Sequence, residues 1–350
     1  MNKPFSIESL LRQNIKNLKP YTSARDEYKG KEGVFLDANE NAFGSATEEL
    51  HNRYPDPLQL ELKKALAPIK GIPAQNIFVG NGSDEAIDLL YRSFCRPAVD
   101  NVIITPPTYG MYEVSANIND IEVKKVNLTQ DFQLNTTEIL KAVDANTKLI
   151  FLCTPNNPTG NCLRKEDILN IIEHFRGIVI IDEAYIDFAP GHSLLSELAN
   201  YPNVVIMQTF SKAWGMANLR LGLAFASTEM ISVLNRVKPP YNINGVSQQM
   251  ALQALKNESK KDSYVKNILV QRDILVSQLQ KVACVVNIYP SDANFILVKT
   301  TDGRKIYDFL VAHQVIVRDR SSVALCEGCL RITVGTAAEN LELIKVLKMY

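Results

Sequence analysis

The sequence of 350 residues has no long apolar run and no excess of charge of either sign. No apolar segment approaches the roughly 20 residues that a helix needs to span a bilayer, and the N-terminus lacks the uninterrupted apolar core of a signal peptide. Lys and Arg together number 38, as do Asp and Glu, so the formal net charge is zero. That balance does not favour nucleic acid as a partner. We therefore expect a cytoplasmic protein that binds neither membranes nor nucleic acid.

Cysteine is scarce, and its spacing shows no pairs typical of a disulfide framework. Cys326-Glu-Gly-Cys329 is a lone CxxC among the six cysteines. A zinc site would need a second such pair or nearby histidines, and His313 is not at a recognisable spacing. We interpret Cys326 and Cys329 as incidental thiols and expect no metal site.

From about residue 77 to residue 226, short β-rich runs alternate with helical stretches. Several of the runs are nearly continuous in apolar residues, as strands covered on both faces are. This alternation predicts an α/β fold with a mostly parallel sheet and crossover helices. The predicted strands are 77–79, 102–104, 121–126, 148–153, 178–181, 204–207 and 221–225.

The last third of the chain has a different pattern. Residues 247–282 carry apolar positions at helical spacing. After them the sequence predicts a smaller α+β unit rather than a continuation of the large sheet, with strands at 294–299, 315–317 and 330–334 and helices at about 303–313 and 337–349. The predicted division is an N-terminal arm at 1–30 packed with the small domain or a partner, a large domain at 31–246, connecting helices at 247–282 and a small C-terminal domain at 283–350.

Lys212 follows the apolar run 204–207, within Thr209-Phe-Ser-Lys-Ala-Trp-Gly-Met-Ala-Asn-Leu-Arg220. A lysine just past a buried parallel strand stands where open α/β sheets bind their ligands. Lysine condenses with aldehydes, which makes it the natural anchor for pyridoxal phosphate. The hydroxyl residues before it and Arg220 after it suit that cofactor's phosphate. The alternative is an ordinary surface lysine in a loop.

The segment Gly80-Asn-Gly-Ser-Asp84 follows the first predicted strand and opens an apolar-periodic helix. Small glycines let the backbone approach an anion, and the free N–H groups of a helix start bind it. Gly82, Ser83 and Asp84 are therefore candidates for a phosphate site. The alternative is a plain helix start with Ser83 as its N-cap.

Two further polar groups follow strands of the same sheet. Asn157 lies in Thr154-Pro-Asn-Asn-Pro-Thr-Gly160, which is a rigid turn that can also present a hydrogen-bond donor to a ligand. Asp182, in Asp182-Glu-Ala-Tyr185, comes directly after 178–181, where a buried carboxylate needs a cationic partner. A protonated pyridinium nitrogen would be such a partner. The alternative for Asp182 is a strand-end residue that caps the following turn.

Together with Leu36-Asp-Ala-Asn-Glu-Asn41, Arg53-Tyr-Pro-Asp-Pro57 and Leu330-Arg-Ile-Thr-Val-Gly335, these motifs resemble the class I/II, fold-type I pyridoxal-phosphate aminotransferases almost end to end. The Asn-Glu-Asn and Arg-Ile-Thr-Val-Gly strings resemble the histidinol-phosphate aminotransferase family in particular. The resemblance implies an aspartate-aminotransferase-like fold, pyridoxal 5′-phosphate as cofactor, and a homodimer with shared active sites.

The resemblance also implies roles for individual residues. Lys212 forms the Schiff base and then moves the substrate α-proton, Asp182 pairs with the pyridine nitrogen, and Tyr185 completes the catalytic set. Asn157 and Tyr185 bond the ring 3-oxygen, and Tyr109 stacks on the ring. The residues that it implies for the cofactor phosphate are Gly82, Ser83, Asp84, Ser211, Arg220 and, from the partner subunit, Tyr54.

Arg318 and Arg331 stand thirteen positions apart near the C-terminus. Guanidinium groups suit a phosphate or carboxylate because they donate two parallel hydrogen bonds. The resemblance implies that Arg331 binds the substrate anion, with Arg318, Tyr21 and Asn157 assisting. The alternative for Arg318 is a surface ion pair with Asp319 or a neighbour. A further alternative is that Arg320 is the arginine that points inward.

The implied reaction is a ping-pong transamination in L-histidine biosynthesis. It interconverts L-histidinol phosphate plus 2-oxoglutarate with imidazole-acetol phosphate plus L-glutamate. We expect burial and Arg220 to lower the pKa of Lys212, because a free lysine is too basic to accept a proton near neutral pH. Alternatives of the same fold are an aromatic amino-acid aminotransferase and a decarboxylase of phosphorylated amino acids. A non-catalytic binding protein is a further alternative, and an intact Lys212 with Asp182 counts against it.

Overall fold

The computed structural model describes residues 5–21 and 33–350. The predicted boundary between an N-terminal arm and a large domain, at residues 30 and 31, lies outside the described residues. Among the helices within these ranges, none has the length and apolar character to cross a membrane.

The central element is a seven-stranded sheet with the order β1-β7-β6-β5-β4-β2-β3. All neighbours in it are parallel except β7, which runs antiparallel to both β1 and β6. The strands are β1 Ile77–Asn81, β2 Asn101–Ile104, β3 Glu122–Lys125, β4 Thr147–Cys153, β5 Ile178–Asp182, β6 Val204–Thr209 and β7 Leu221–Phe225. The predicted mostly parallel α/β sheet is therefore confirmed.

Both faces of this sheet are buried, because successive side chains on a strand point to opposite sides. On β5, Val179 and Ile181 belong to one apolar cluster, while Ile178 and Ile180 belong to a second cluster on the other face. The helices cover these two faces and the second sheet. They span Ile7–Leu10, Gln13–Lys16, Leu60–Lys70, Ser83–Phe94, Met111–Ile118, Thr136–Ala142, Lys165–His174, Thr228–Val237, Gly245–Leu255, Glu258–Leu279, Gly303–Ala312 and Ala337–Leu347.

The direction of β7 gathers functional groups at one edge of the sheet. The parallel strands β1, β2, β4, β5 and β6 end at this edge, where sheets of this kind bind ligands. Since β7 is reversed, it begins there, and Arg220 stands directly before its first residue. Chain segments that are far apart in sequence thus meet in one place.

A second, four-stranded antiparallel sheet follows in the order β10-β11-β9-β8. Its strands are β8 Val285–Ile288, β9 Phe295–Thr300, β10 Arg318–Asp319 and β11 Cys329–Thr333. Helices Glu258–Leu279, Gly303–Ala312 and Ala337–Leu347 pack on one face around an apolar cluster of their own. The predicted α+β arrangement is present, and the domain limits within the chain stay a prediction.

Two details of this region differ from the sequence prediction. The predicted strand at 315–317 is wrong. Val315 and Val317 pack against the apolar cluster, and β-ladder pairing begins only at Arg318. Val315 and Val317 are half-buried while Ile316 is exposed, which is the alternation typical of a strand. The sequence prediction missed β8, a short edge strand with exposed side chains in its middle. The predicted connecting helices at 247–282 are Gly245–Leu255 and Glu258–Leu279.

Candidate active site

A cavity of about 150 Å³ opens at the edge of the large sheet where the parallel strands end. Each predicted cofactor-binding residue except Tyr54 lines it. The lining residues are Gly82, Ser83, Asp84, Tyr109, Cys153, Asn157, Asp182, Ala184, Tyr185, Thr209, Ser211, Lys212, Ala217 and Arg220. The structure therefore brings the separate motifs of the sequence together around one cavity.

The glycine-rich segment after β1 leaves backbone N–H groups at the cavity wall. Gly82 is the N-cap of helix Ser83–Phe94, and no side chain caps that helix. The alternative in which Ser83 is the N-cap is therefore wrong, and the first N–H groups of the helix remain available to an anion. Gly82 has φ +76°, and a Cβ there would lie 2.7 Å from Nη2 of Arg220. The positive φ favours glycine, and a Cβ there would displace the Arg220 guanidinium.

The loop from β6 to β7 carries both Lys212 and Arg220. Its base is closed by the pairing of Thr209 with Gly222 and by a hydrogen bond of 3.0 Å from Phe210 N to Leu221 O. The Thr209 hydroxyl accepts from Ser211 N at 3.1 Å, so Thr209 shapes the turn before the lysine. Arg220 has φ +53°, an uncommon and strained conformation for a large side chain.

Lys212 stands inside the cavity with its Nζ 5.5 Å from the centre of the Tyr185 ring. Burial and the nearby positive charge of Arg331 lower the pKa of Lys212, and Arg220 adds a smaller effect in the same direction. The predicted direction is confirmed. Arg331 contributes more than Arg220, the residue expected from the sequence.

Asp182 is 2% exposed at the end of β5. Its Oδ2 accepts a hydrogen bond of 2.7 Å from the Tyr112 hydroxyl, and its Oδ1 accepts one of 3.1 Å from Ala184 N. Burial raises the pKa of Asp182 to about 6, although these two donors work against the rise. Tyr112 was not among the predicted site residues. Its position three residues after Tyr109, on helix Met111–Ile118, is the one signal that the sequence offers.

Asn157 joins the cavity to the second sheet. Its Oδ1 accepts a hydrogen bond of 2.5 Å from Nη1 of Arg331, and its Nδ2 donates one of 3.3 Å to the Tyr185 hydroxyl. The Arg331 guanidinium also lies 5.3 Å from the centre of the Phe295 ring. A predicted substrate residue, Arg331, therefore touches a predicted cofactor residue, Asn157.

Tyr109 and Arg220 share one carboxylate across the cavity mouth. The Tyr109 hydroxyl donates to Oδ1 of Asp84 at 3.1 Å, and Nη2 of Arg220 lies 3.3 Å from its Oδ2. Burial and Asp84 raise the pKa of the Tyr109 phenol. Asp84 thus orients both side chains.

Arg318 is exposed and directly opposite Arg331 in the β10–β11 register. The alternative of an ion pair between Arg318 and Asp319 is wrong, because Asp319 faces Arg304 instead, at 3.9 Å. Arg320 is half-buried, and its positive charge opposes the rise that burial causes in the pKa of Tyr185.

Tyr54 and Tyr21 do not line the cavity of their own chain. Tyr54 is 50% exposed and stacks on Tyr241 with ring centres 4.5 Å apart. Glu40, from the Asn-Glu-Asn motif, accepts a hydrogen bond of 2.6 Å from Tyr54 N, so that motif holds the Tyr54 turn. Tyr21 is 74% exposed and borders a surface groove with Pro57 and Pro240.

All six cysteines are free thiols. Cys326 and Cys329 are fully buried, and burial raises their pKa values to about 12 and about 11. Within residues 5–21 and 33–350, no group of three or more His, Cys, Asp or Glu side chains could hold a metal ion.

Known proteins are similar to this chain in sequence and in fold. The family described as aminotransferase class I and II matches residues 27–347. The histidinol-phosphate aminotransferase of Cytophaga hutchinsonii is 60% identical over 346 residues, and that of Bacteroides thetaiotaomicron is 52% identical, each alignment covering 99% of both chains. The crystal structure of histidinol-phosphate aminotransferase from Sinorhizobium meliloti in complex with pyridoxal-5′-phosphate superposes with a TM-score of 0.80 at 24% identity, covering 89% of each chain.

Proposed function

Because the chain belongs to the class I and II aminotransferases, and within them to the histidinol-phosphate aminotransferases, we propose that it transfers the amino group between L-histidinol phosphate and 2-oxoglutarate. The products are imidazole-acetol phosphate and L-glutamate, and the reaction belongs to histidine biosynthesis. One observation carries the proposal. Lys212 and Asp182 line the same cavity, while Arg331 is bonded to Asn157 of its wall.

The residues around the cavity fit pyridoxal 5′-phosphate. At one end are the uncapped helix start after Gly82, the Ser211 hydroxyl and Arg220, which together suit a phosphate. At the base, Asp182 is a buried carboxylate that accepts hydrogen bonds from Tyr112 and Ala184 N but has no described cation within 4.0 Å, and burial raises its pKa. A protonated ring nitrogen would compensate the negative charge of Asp182. Asn157 and Tyr185 would bond the ring oxygen, and Tyr109 would cover the ring.

When bound, pyridoxal phosphate supplies an electron sink that stabilises the negative charge left as a proton leaves the substrate α-carbon. Lys212 takes that proton on Nζ and later returns it. The lowered pKa of Lys212 favours the neutral amine that this role needs. Asp182 stays ionised beside a cation and keeps the sink effective. Tyr112 holds Asp182 in place through its 2.7 Å hydrogen bond.

The substrate anion would bind at Arg331, with Arg318, Asn157 and Tyr21 assisting. Arg331 and Arg318 are direct neighbours in the ladder, so their guanidinium groups can share one phosphate or carboxylate. The same site then serves the phosphate of histidinol phosphate and a carboxylate of glutamate in alternate half-reactions.

A homodimer would complete each site, with Tyr54 reaching the cofactor phosphate of the partner subunit. In support, residues before Tyr54 expose large apolar side chains that a single chain leaves uncovered: Val34 is 88% exposed, Leu36 83%, Phe43 102% and Leu50 75%. Apolar patches of this kind mark protein interfaces. Tyr21 borders the groove at Pro240 and Tyr54 stacks on Tyr241, so the two tyrosines lie beside adjacent residues of the chain.

The same proposal includes a cytoplasmic location, with no nucleic-acid or membrane partner. Its support is the six unpaired thiols, which suit a reducing compartment, and the zero formal net charge.

An absorbance titration of the purified protein tests the proposed function. The yellow band of the protein-bound aldehyde cofactor should bleach when L-histidinol phosphate is added and return with 2-oxoglutarate. A band that ignores histidinol phosphate but bleaches with phenylalanine or tyrosine would instead indicate an aromatic aminotransferase. Failure of added pyridoxal phosphate to give any band would contradict the role of Lys212.

A further inference from the structure

The β10–β11 ladder places a third arginine beside the two that the proposed function assigns to substrate. Arg318 pairs with Arg331, and Asp319 pairs with Leu330. The ladder continues one residue further, because Arg320 N donates to Cys329 O at 2.9 Å. Since side chains alternate along a strand, Arg320 lies on the same face as Arg318 and Arg331.

This face of the second sheet is directed toward the large sheet. Ile296, Val298 and Leu330 belong to the apolar cluster under the sheet's own helices. Leu297 and Cys329, on the opposite face, belong to the cluster of the large sheet. The arginine face is thus the one that adjoins the active-site cavity, and Arg331 reaches Asn157 from it.

The three arginines have no carboxylate partner among residues 5–21 and 33–350. Within the described part of the chain, no carboxylate lies within 4.0 Å of Arg318, Arg320 or Arg331. Nε of Arg320 is buried and has no hydrogen-bond partner among the described residues. Burial, followed by the charges of Arg331 and Arg318, lowers the pKa of Arg320. These are three adjacent cations on the sheet face that adjoins the cavity, and one of them has an orphaned buried donor. This arrangement indicates that a ligand supplies the negative charge.

We propose that Arg320 is a further substrate-binding residue, and that the three guanidinium groups select a dianionic phosphate monoester over a carboxylate. This inference rests on the proposed function and narrows its substrate class. A phosphate monoester carries close to two negative charges at neutral pH on three acceptor oxygens, whereas a carboxylate carries one charge on two oxygens. Two arginines satisfy a carboxylate, and the third guanidinium has a partner only when phosphate is bound.

Kinetics of Arg320→Gln with the holoenzyme test the selectivity. The KM for L-histidinol phosphate should rise by about tenfold or more, the usual effect of losing one charged hydrogen bond, while the KM for L-glutamate rises less than about threefold. Arg320→Lys, which keeps the charge but loses the fork, should lie between wild type and Arg320→Gln. Arg176→Gln is the matched control, because it removes one exposed arginine far along the chain from the site. An equal loss for both substrates overturns the selectivity, and no loss for either overturns the contact.

Calorimetry with inorganic phosphate gives a second readout that does not depend on turnover. In the holoenzyme the cofactor occupies its own phosphate site, so added phosphate reports the arginine cluster. We expect Arg320→Gln to weaken phosphate binding by about tenfold and Arg176→Gln to leave it unchanged. Wild-type protein that binds phosphate no tighter than Arg320→Gln overturns the proposal. If wild type binds phosphate but does not turn over histidinol phosphate, the proposed function fails while the role of Arg320 stands.

Discussion

The Tyr112 hydroxyl donates a 2.7 Å hydrogen bond to Oδ2 of Asp182 at the base of the active-site cavity. Both side chains are almost completely buried, so water cannot replace this donor. The bond opposes the effect of burial, which raises the pKa of Asp182. Tyr112 therefore helps to keep a buried carboxylate negative where a cationic ring nitrogen would need it.

Replacing Tyr112 by Phe should lower kcat by about tenfold, since hydrogen bonds to charged groups contribute about 1.5–3 kcal/mol. Tyr91→Phe is the matched control. Its hydroxyl is buried in the same aromatic cluster but donates to a backbone carbonyl, Tyr112 O, at 2.8 Å. Both variants should lose similar stability in urea, and only Tyr112→Phe should lose turnover. Equal losses of turnover would show that Tyr112 acts through packing alone.

Asp182→Asn should change how the stability of the cofactor-free protein depends on pH. Because the pKa of Asp182 is about 6 in the folded protein and 3.8 as a free side chain, the folded state binds the proton more tightly. The free energy of unfolding of the wild type should therefore fall as pH rises from about 4 to about 6. The variant lacks this fall, so at pH 7 it should be more stable than cofactor-free wild type by up to roughly 3 kcal/mol. Urea denaturation at pH 4 and pH 7 measures this, and the same difference at both values would refute it.

Lys212→Ala should reduce turnover by at least about a thousandfold, because no other described amine lines the cavity. Borohydride reduction should leave the cofactor covalently attached to wild type but not to the variant, as mass spectrometry would show. Lys260→Ala is a suitable control, since Lys260 is an exposed lysine beside the Tyr264 ring. Retained attachment in Lys212→Ala would transfer the anchoring role to another residue.

Gly82→Ala should weaken cofactor binding by about tenfold, since its Cβ would lie 2.7 Å from Arg220 Nη2 at the phosphate end of the cavity. Gly71→Ala separates this effect from backbone strain. Gly71 has a similar φ of +65°, and a Cβ there would meet no atom within 4 Å. Both variants should lose about 1 kcal/mol of stability. The dissociation constant for pyridoxal phosphate should change only for Gly82→Ala. Unchanged affinity of this variant would show that the cofactor phosphate does not bind at this loop.

Mixing Lys212→Ala with Tyr54→Phe, at a cofactor concentration where neither variant alone turns over substrate, tests whether Tyr54 serves the partner subunit. Dimers that combine Lys212→Ala with Tyr54→Phe contain one site with both native residues, provided that the two come from different subunits. Random exchange should restore about a quarter of wild-type activity, because half of the dimers are mixed and each has one intact site. The unmixed variants supply the baseline. No recovery in dimers shown to be mixed would place Tyr54 and Lys212 in the same subunit's site.

The sequence predicts all seven strands of the large sheet to within two residues at each end. Apolar runs reveal them because both faces are buried. The pattern stops short of Asn81, Asp182 and Thr209, which extend β1, β5 and β6 as polar residues. These ends adjoin the cavity, so the prediction is least accurate where the chain turns from packing to binding.

Other parts of the site depend on contacts that no local pattern encodes. Tyr112 looks like an ordinary aromatic of an amphipathic helix until the fold brings it to Asp182. Glu40 holds the Tyr54 turn from fourteen residues away. Arg320 differs from Arg318 only in its position along a ladder that the sequence misplaces at 315–317. In each case the sequence shows the residue type, and three-dimensional neighbours decide its role.

The connection between β6 and β7 sets the distance between Lys212 and Arg220. Lys212 follows β6, Arg220 directly precedes β7, and the pairing of Thr209 with Gly222 holds the two strand ends together. We therefore expect ligands to be selected by length, because a reactive carbonyl must reach Lys212 while an anionic group reaches Arg220. An aldehyde without an anionic group would contact Lys212 alone. A change in the length of the loop between Lys212 and Arg220 would change the preferred ligand length without replacing either residue.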